Sequence, residues 1–515
     1  MLAKINSYAL NGLEGYGVSV EVDVHSGLPN IDVVGLPDTA IKESRERVRS
    51  AIKNSGYDFT PRKITINLAP ADTKKEGPIF DLAIALGILC STEQAGVDES
   101  NTPLSSVKDY VFLGELSLSG EVRRINGVMP MLIAAKQNGV KRIVIPYGNR
   151  NEAKYIRGIE VFTVEKLRDA VDMINGAVLP VPIENSDIVA GGAARCGEDF
   201  KFVKGQYAAK RALEIAAAGG HNILMIGPPG GGKTMLAKCL PGILPDMTEA
   251  EILETTKIHS IAGILDTEAG IVSTRPFRSP HHTTSKMALT GGGSTARPGE
   301  ISYAHNGVLF LDELPEYPRS VLEILRQPLE DGVVSVSRVA RSVEYPASFM
   351  LVASMNPCPC GYYGSQTHEC SCTPAQREKY MSRISGPLLD RIDLHISVGE
   401  VCYGELTSTS EAESSADVRA RVNAARAVQT ERFNGTDVHS NAKMHGGMIK
   451  KYCALDAAGE RVLQNAFDSL GLSARAYTRI LKVARTIADL DGAENIGAKH
   501  IAEAVMYRSL DKAVK

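Results

Sequence analysis

The sequence predicts an α/β protein of about three domains. An apolar run at 222–226 precedes a glycine-rich segment and then a helical pattern, which is the strand–loop–helix order of an α/β core. Residues 17–24 alternate strictly between apolar and polar side chains, a pattern typical of a half-buried strand. Beyond residue 400, Ala, Arg, Leu and Val recur at helical spacing without convincing strands. A chain of 515 residues is long enough for three such domains, each with its own core.

The domain boundaries follow from shifts in composition and pattern. We expect an α+β domain over 1–175, a linker rich in Pro, Gly and Ala over 176–198, an α/β core over 199–400 and a helical lid over 401–515. In the first domain, strands are predicted at 17–24, 63–68 and 142–146, a helix is predicted to start near Asp38, and further helices are predicted around 80–89 and 131–138. In the core, strands are predicted at 222–226, 308–311 and 349–354.

Composition restricts the classes of protein to which the chain can belong. Its net charge is −3, so contact with nucleic acid would have to come from a local channel or loop. No apolar run approaches the about 18 residues of a membrane span, and the first residues lack the apolar segment of a signal peptide. Four of the nine cysteines are clustered, which argues against a distributed disulfide framework and for a cytoplasmic protein.

The glycine-rich segment fits a phosphate-binding loop. Its residues are Gly227, Pro228, Pro229, Gly230, Gly231, Gly232, Lys233 and Thr234. They complete G-x-x-x-x-G-K-[ST] between a strand and a helix, where backbone N–H groups can surround the phosphates of ATP. We expect Lys233 to reach the β- and γ-phosphates and Thr234 to hold Mg²⁺. The alternative is a glycine-rich turn with a chance Lys-Thr pair.

Two later strands end in polar residues suited to hydrolysis. The strand at 308–311 runs into Asp312 and Glu313, where Asp312 suits Mg²⁺ and Glu313 suits a base that polarises the attacking water. The strand at 349–354 ends near Asn356, whose amide could orient the same water. The alternative for Asn356 is a turn residue before Pro357.

Four cysteines, Cys358, Cys360, Cys370 and Cys372, follow Asn356 in a segment spanning 356–374. Four thiolates on one short loop can hold a structural zinc ion, and they leave no open position for a catalytic one. His368 could replace one ligand. Reduced free thiols or a redox pair are the alternatives.

The motifs at 227–234, 299–307, 312–313 and 383–393 resemble those of the YifB/ComM family of magnesium-chelatase-like AAA+ ATPases, and the resemblance extends over nearly the whole chain. It implies a homohexameric ring with nucleotide at the subunit interfaces. It makes Arg391 the finger that reaches the neighbouring subunit's γ-phosphate, with Arg383 a second candidate. Arg391 could instead pair with Asp390 or Asp393.

The resemblance also assigns a residue of the lid to the nucleotide. Arg475 matches the family's second sensor, an arginine that touches phosphate. Arg479 and Arg485 lie on the same predicted helix. A solvated basic face is the alternative for all three.

The N-terminal domain resembles a Lon-protease-like domain of S5 type without its catalytic pair. Around Lys75–Phe80, Ile79 stands where the active family has its nucleophilic Ser, and Met129 stands where it has its Lys. An isoleucine cannot attack a carbonyl and a methionine cannot take a proton. We therefore expect a scaffold for assembly or substrate binding.

The substrate is predicted from a hairpin and from the resemblance. Two alternating segments within 330–345 flank a basic tip with Arg338 and Arg341, which could grip DNA phosphates inside a ring; ordinary surface arginines are the alternative. The segment 275–286 could also line the pore, although adjacent histidines within it are weak evidence for metal. We expect an ATP-driven motor that moves single-stranded or branched DNA, and the resemblance implies branch migration in homologous recombination or natural transformation. An ATP-dependent protease and a chelatase-like remodelling ATPase are the alternatives.

Overall fold

The computed structural model describes residues 2–59, 61–97, 105–189, 198–293, 296–338, 341–400 and 412–508, and the side chains of 105, 106, 337, 338 and 341 lie outside the described part. The chain divides into two compact units. The first comprises Met1–Val189, Glu249–Val272 and Ser294–Arg297, and the second Ala190–Thr248, Ser273–Gly293 and Pro298–Lys515. The sequence placed 249–272 within the core, whereas the structure groups this segment with the N-terminal unit.

A seven-stranded mixed sheet forms the centre of the N-terminal unit. In spatial order its strands are Asn30–Val34, Lys63–Ala69, Glu14–His25, Leu2–Asn11, Tyr110–Phe112, Arg142–Pro146 and Glu160–Val164. The two long strands pair antiparallel, and the last three follow in parallel. The alternating burial of Glu14–His25 confirms the strand that its sequence pattern predicts.

The helices of this unit pack on the sheet or on one another. They are Thr39–Asn54, Asp81–Ser91, Val128–Gln137, Arg150–Ala153, Leu167–Ile174 and Glu249–Ala262. Asp38 caps the first of them, accepting a hydrogen bond from the Ile41 amide at 2.9 Å. Nearly every side chain of Asp81–Ser91 is buried, which explains why its sequence is apolar on all sides.

The second unit contains a five-stranded sheet in which all neighbouring strands pair in parallel. In spatial order its strands are Phe277–Arg278, Val308–Leu311, Met350–Met355, Ile223–Ile226 and Leu394–Ser397. Val308–Leu311 is buried throughout, as expected for a parallel strand covered on both faces. A separate hairpin pairs Val333–Arg338 with Arg341–Pro346, which confirms the predicted hairpin.

Helices surround the parallel sheet and continue into the C-terminal region. Around the sheet they are Tyr207–Gly219, Lys233–Cys239, Lys286–Thr290, Glu300–Tyr303, Arg319–Leu322, Arg326–Asp331, Pro374–Met381 and Gly386–Leu389. The C-terminal helices are Ser415–Arg432, Gly446–Tyr452, Ala457–Leu470, Ala474–Leu490 and Ala498–Met506. Both groups contribute to one hydrophobic core. The predicted α/β class with a helical C-terminus is confirmed, and no helix in the described ranges is long and apolar enough to cross a membrane.

The ionisation of Asp81 links the stability of the N-terminal core to pH. Its carboxylate is fully buried and accepts a 2.9 Å hydrogen bond from the Arg47 guanidinium, yet burial outweighs this partner and raises the pKa of Asp81 to about 6. An unfolded Asp has a pKa of about 3.9, so the folded state binds the proton more tightly. The resulting stabilisation, on the order of 3 kcal/mol, is fully present below about pH 4 and is lost as the pH rises through about 6.

We therefore expect Asp81→Asn, which cannot ionise, to lose less stability than the wild type between pH 4 and pH 7. Urea unfolding followed by circular dichroism measures the difference, and Asp58→Asn, at an exposed position of the same unit, is the control. If the free energy of unfolding depended equally on pH in the wild type and in Asp81→Asn, the raised pKa of Asp81 would be contradicted.

Candidate nucleotide site

The carboxyl ends of three neighbouring parallel strands bring the predicted site residues together. Met350–Met355 lies between Val308–Leu311 and Ile223–Ile226, with Ile226 opposite Met355 and Leu311 opposite Ala353. The segments that leave these ends carry the glycine-rich loop, the Asp-Glu pair and Asn356. Ligands of open parallel sheets bind at this edge.

Lys233 is the centre of hydrogen bonding at this edge. Its ammonium donates to the carbonyl oxygens of Gly227 at 2.7 Å and Pro228 at 2.8 Å, and to Oδ1 of Asn356 at 3.2 Å. Burial lowers the pKa of Lys233, and the charges of Asp312 and Glu313 oppose that shift. The structure thus places Lys233 in contact with Asn356.

The loop has the backbone that a phosphate cradle needs. A Cβ at Gly227 would lie 2.1 Å from the carbonyl oxygen of Val398, so no larger residue fits there. Gly232 has φ of 83°, a left-handed conformation that favours glycine, and the next residue begins the helix Lys233–Cys239. Gly227 and Gly232 are therefore required by the fold of the loop.

Oxygen atoms suited to Mg²⁺ converge next to the loop. Thr234 Oγ1 donates to Asp312 Oδ2 at 2.9 Å, and Ser354 donates a short hydrogen bond to the other oxygen of the same carboxylate. Hydroxyl and carboxylate oxygens are the ligands Mg²⁺ prefers, usually together with water and phosphate oxygens. The residues present fit this ion.

Glu313 adopts a strained backbone beside a histidine. Its φ of 52° is left-handed for a residue that is not glycine, as is frequent at functional sites. Its carboxylate lies 3.6 Å from Nδ1 of His282, whose ring centroid lies 4.0 Å from that of His281. His282, one of the two adjacent histidines predicted as weak metal candidates, thus lies beside the proposed base, and the described part of the chain places neither histidine in a metal-binding group.

The three predicted phosphate-contacting arginines have different environments. Arg391 is almost fully buried; it pairs with Glu330 and donates to the carbonyl oxygens of Pro387 at 2.6 Å and Arg326 at 3.2 Å. Arg383 is exposed and donates to both carboxylate oxygens of Glu316 at 3.0 and 3.1 Å.

Arg475 is 62% exposed and lies 3.9 Å from the Asp390 carboxylate. On the same helix, Arg479 pairs with Asp393 and Arg485 donates to Asp489 at 3.0 Å. Because Arg485 is buried, this helix does not present a continuous solvated basic face.

The four cysteines of the 356–374 segment form one cluster. Their sulfur atoms all lie within 4.8 Å of one another, and three of the separations are 3.3, 3.6 and 3.7 Å. Sulfurs about 2.3 Å from a tetrahedral ion would be about 3.8 Å apart, so the donor set fits zinc. The His368 ring instead stacks on Tyr362 at 4.7 Å, and its Nδ1 hydrogen-bonds Thr367 at 2.8 Å.

The cysteine loop packs against the phosphate loop. A Cβ at Gly361 would lie 2.7 Å from Cδ of Pro229, which shows how closely the two backbones approach. Ser365 and Thr367 donate to the Glu400 carboxylate at 2.6 and 2.8 Å. The cluster therefore braces a loop that borders the nucleotide site.

The predicted DNA contacts are only partly described. Arg338 and Arg341 pair across the hairpin at its last described positions, and their side chains lie outside the described part. In the 275–286 segment, Arg275 donates to backbone carbonyls, including that of Pro245 at 2.7 Å, and Arg278 pairs with Glu300. These last two arginines therefore connect the 275–286 segment to other segments of the second unit.

In the N-terminal unit, Ile79 lies in the turn Pro78–Phe80 and packs against the hydrophobic core. Met129 is fully buried in the first turn of Val128–Gln137. Neither side chain can perform the chemistry of a Ser–Lys pair.

Sequence reasoning missed two neighbours of the acidic pair. Ser354 is two residues before Asn356, and the period of a strand could have placed it on the same face. His282 is separated from Glu313 by a long segment, and no local pattern links them.

A thermal-shift experiment tests whether the glycine-rich loop binds ATP. ATP with Mg²⁺ should stabilise the wild type, by about 2.7 kcal/mol at one hundred times its dissociation constant. Lys233→Ala removes the phosphate-binding ammonium and should abolish the shift, while Lys238→Ala, exposed on the same helix, should retain it. An unchanged shift in Lys233→Ala would contradict the assignment.

Comparison with known proteins agrees with this geometry. Family descriptions of the magnesium chelatase subunit ChlI match residues 199–406 and 20–149, and that of its C-terminal region matches 412–508. Lon protease 2 of Bacillus subtilis is 28% identical over 188 residues, covering 32% of each chain. Competence protein ComM of Haemophilus influenzae is 43% identical, and the uncharacterized protein YifB of Salmonella typhimurium is 44% identical, each over 99% of this chain and 98% of its own. The chain therefore belongs to the YifB/ComM family of magnesium-chelatase-like AAA+ ATPases.

Proposed function

We propose that the protein is an ATP-driven DNA motor that assembles as a homohexamer and moves single-stranded or branched DNA in homologous recombination or natural transformation. The observation that carries the proposal is the convergence of Lys233, Thr234, Asp312, Glu313 and Asn356 at one sheet edge. Membership in an AAA+ family indicates an ATPase. The part that we propose is that ATP hydrolysis moves DNA.

In the proposed reaction, the residues at the sheet edge have separate roles. Lys233 binds the β- and γ-phosphates, while Thr234 and Asp312 hold Mg²⁺, which neutralises phosphate charge. Glu313 accepts a proton from the attacking water, and Asn356 orients that water. Because Lys233 already contacts Asn356, one ammonium links phosphate binding to the position of the water.

The arginines suit a site completed by assembly. We propose Arg391 as the finger toward a neighbouring subunit and Arg475 as the sensor, with Arg383 the second candidate for the finger. A finger supplied in trans can raise hydrolysis by about 10³–10⁵-fold. Arg391 would have to exchange Glu330 for phosphate on assembly.

Two observations support DNA as the substrate: the position of the hairpin in the chain and the name of one similar protein. The hairpin ends directly before the strand that leads to Asn356, so a force on it would act close to the nucleotide. One relative of nearly equal length is named a competence protein. The matching chelatase descriptions favour a remodelling ATPase as the second candidate, and Ile79 and Met129 argue against a protease.

An ATPase assay with forked DNA tests the motor. We expect DNA to stimulate hydrolysis in the wild type, and Arg338→Ala/Arg341→Ala to lose most of that stimulation while keeping basal hydrolysis, because two phosphate contacts are removed. The matched control is Arg461→Ala/Lys450→Ala, at two exposed cations of the helical region. An absence of both stimulation and low-salt DNA binding in the wild type would contradict a DNA motor.

Metal analysis tests the cysteine cluster, which we propose holds a structural zinc ion. We expect about one zinc per chain, and Cys358→Ser should lose both the metal and thermal stability, because four thiolates fix a loop with little core of its own. Cys90→Ser, in the other unit, should keep both. A metal-free wild type, purified without chelator, would refute the zinc proposal.

A further inference from the structure

The N-terminal unit has a basic groove on its surface. Its volume is about 410 Å³, and it lies between the helix Thr39–Asn54, the strand Asn30–Val34 and the segment that leads into Lys63–Ala69. Ten residues line it: Pro29, Asn30, Ile31, Arg45, Glu46, Arg49, Lys53, Phe59, Pro61 and Arg62.

The charge of this groove is opposite to that of the chain. Four of its lining residues are cations and only Glu46 is acidic, whereas the whole chain has 57 basic and 60 acidic residues. A local reversal of charge of this kind marks a site for an anionic ligand. None of the four cations forms an ion pair in the portion of the chain that the structure describes. Their charge is therefore available to a ligand.

Three of the cations form a row. Arg45, Arg49 and Lys53 are spaced four residues apart on one helix, so successive positions share a face and rise by about 6 Å. Like charges at this spacing destabilise a helix. This row of cations is evenly spaced although it destabilises its own helix. Such a row suits a ligand with regularly repeated negative charge.

Two of the guanidinium groups are positioned before any ligand binds. Arg45 donates to the carbonyl oxygens of Lys42 at 2.9 Å and Ile31 at 3.1 Å. The Arg49 guanidinium lies 5.9 Å from the centre of the Phe59 ring, which itself packs on the core. Arg62 faces the row from a different segment. Groups ordered in advance lose less conformational entropy on binding.

We propose that this groove, defined by Arg45, Arg49, Lys53 and Arg62, binds the phosphate backbone of a nucleic acid strand. The Lon-like unit would thereby hold DNA at a second place, separate from the hairpin of the ATPase unit. The proposal rests on the proposed DNA motor for its biological setting, although the binding itself does not require ATP.

Binding of a labelled single-stranded oligonucleotide to the full chain, followed by fluorescence anisotropy over a salt series, tests the proposal. Arg45→Ala/Arg49→Ala/Lys53→Ala should weaken binding at low salt by more than tenfold. It should also reduce the slope of log affinity against log salt by about 2, since each lost phosphate contact is worth about 0.7. Should this variant fail to fold, Arg62→Ala alone should reduce the slope by about 0.7.

The matched control is Lys4→Ala/Lys166→Ala/Arg168→Ala, which removes the same charge from exposed positions of the same unit and should bind as the wild type does. Equal weakening in groove and control variants, or displacement of the oligonucleotide by polyglutamate at equal charge concentration, would overturn the proposal. A groove variant that binds like the wild type would overturn it and leave the motor intact. A wild type whose ATPase ignores DNA, but whose binding depends on the groove, would refute only the motor.

Discussion

The parallel pairing of Ile223–Ile226 with Met350–Met355 is the constraint on which the nucleotide site depends. This register puts the start of the glycine-rich loop beside the end of the neighbouring strand, so the Lys233 ammonium reaches Oδ1 of Asn356 at 3.2 Å. Asn222, just before the first strand, accepts a hydrogen bond from Leu351 at 2.8 Å and donates to the Arg391 carbonyl at 2.8 Å. The backbone that carries the proposed finger is thereby tied to the strand that leads into the phosphate loop.

The strands that carry the site could be predicted from the sequence, because each depends on its own local run of apolar residues. Apolar runs at 222–226, before the glycine-rich loop, at 308–311, before Asp312, and at 349–354, near Asn356, predicted three strands. In the structure these strands are parallel, which places their carboxyl ends at one edge. The contact of His282 with Glu313 and the pairing of Arg391 with Glu330 depend on tertiary packing between distant segments. No periodicity encodes such contacts. The same holds for 249–272, which the sequence places within the core and the structure groups with the N-terminal unit.

In the N-terminal unit, the two positions at which the Lon resemblance predicts a missing catalytic pair are part of the packed fold. Ile79 packs on the core and Met129 is buried, so both side chains contribute to stability. On the same unit, the row of cations along Thr39–Asn54 has no ion-pair partner within the described residues. Both observations agree with the proposal that this unit binds nucleic acid and does not cleave protein. In the ATPase unit, the cysteine loop packs on Pro229 of the glycine-rich loop.

The central claim is that hydrolysis at this sheet edge moves DNA. The most direct measurement is the conversion of a labelled four-way DNA junction into its product duplexes by the purified wild type and by Glu313→Gln. With ATP and Mg²⁺ the wild type should convert the junction. Glu313→Gln should bind ATP and DNA but convert the junction about 10²–10⁴-fold more slowly, because the group that accepts the proton is lost. Equal conversion by both proteins, or by the wild type with a non-hydrolysable ATP analogue, would contradict the account.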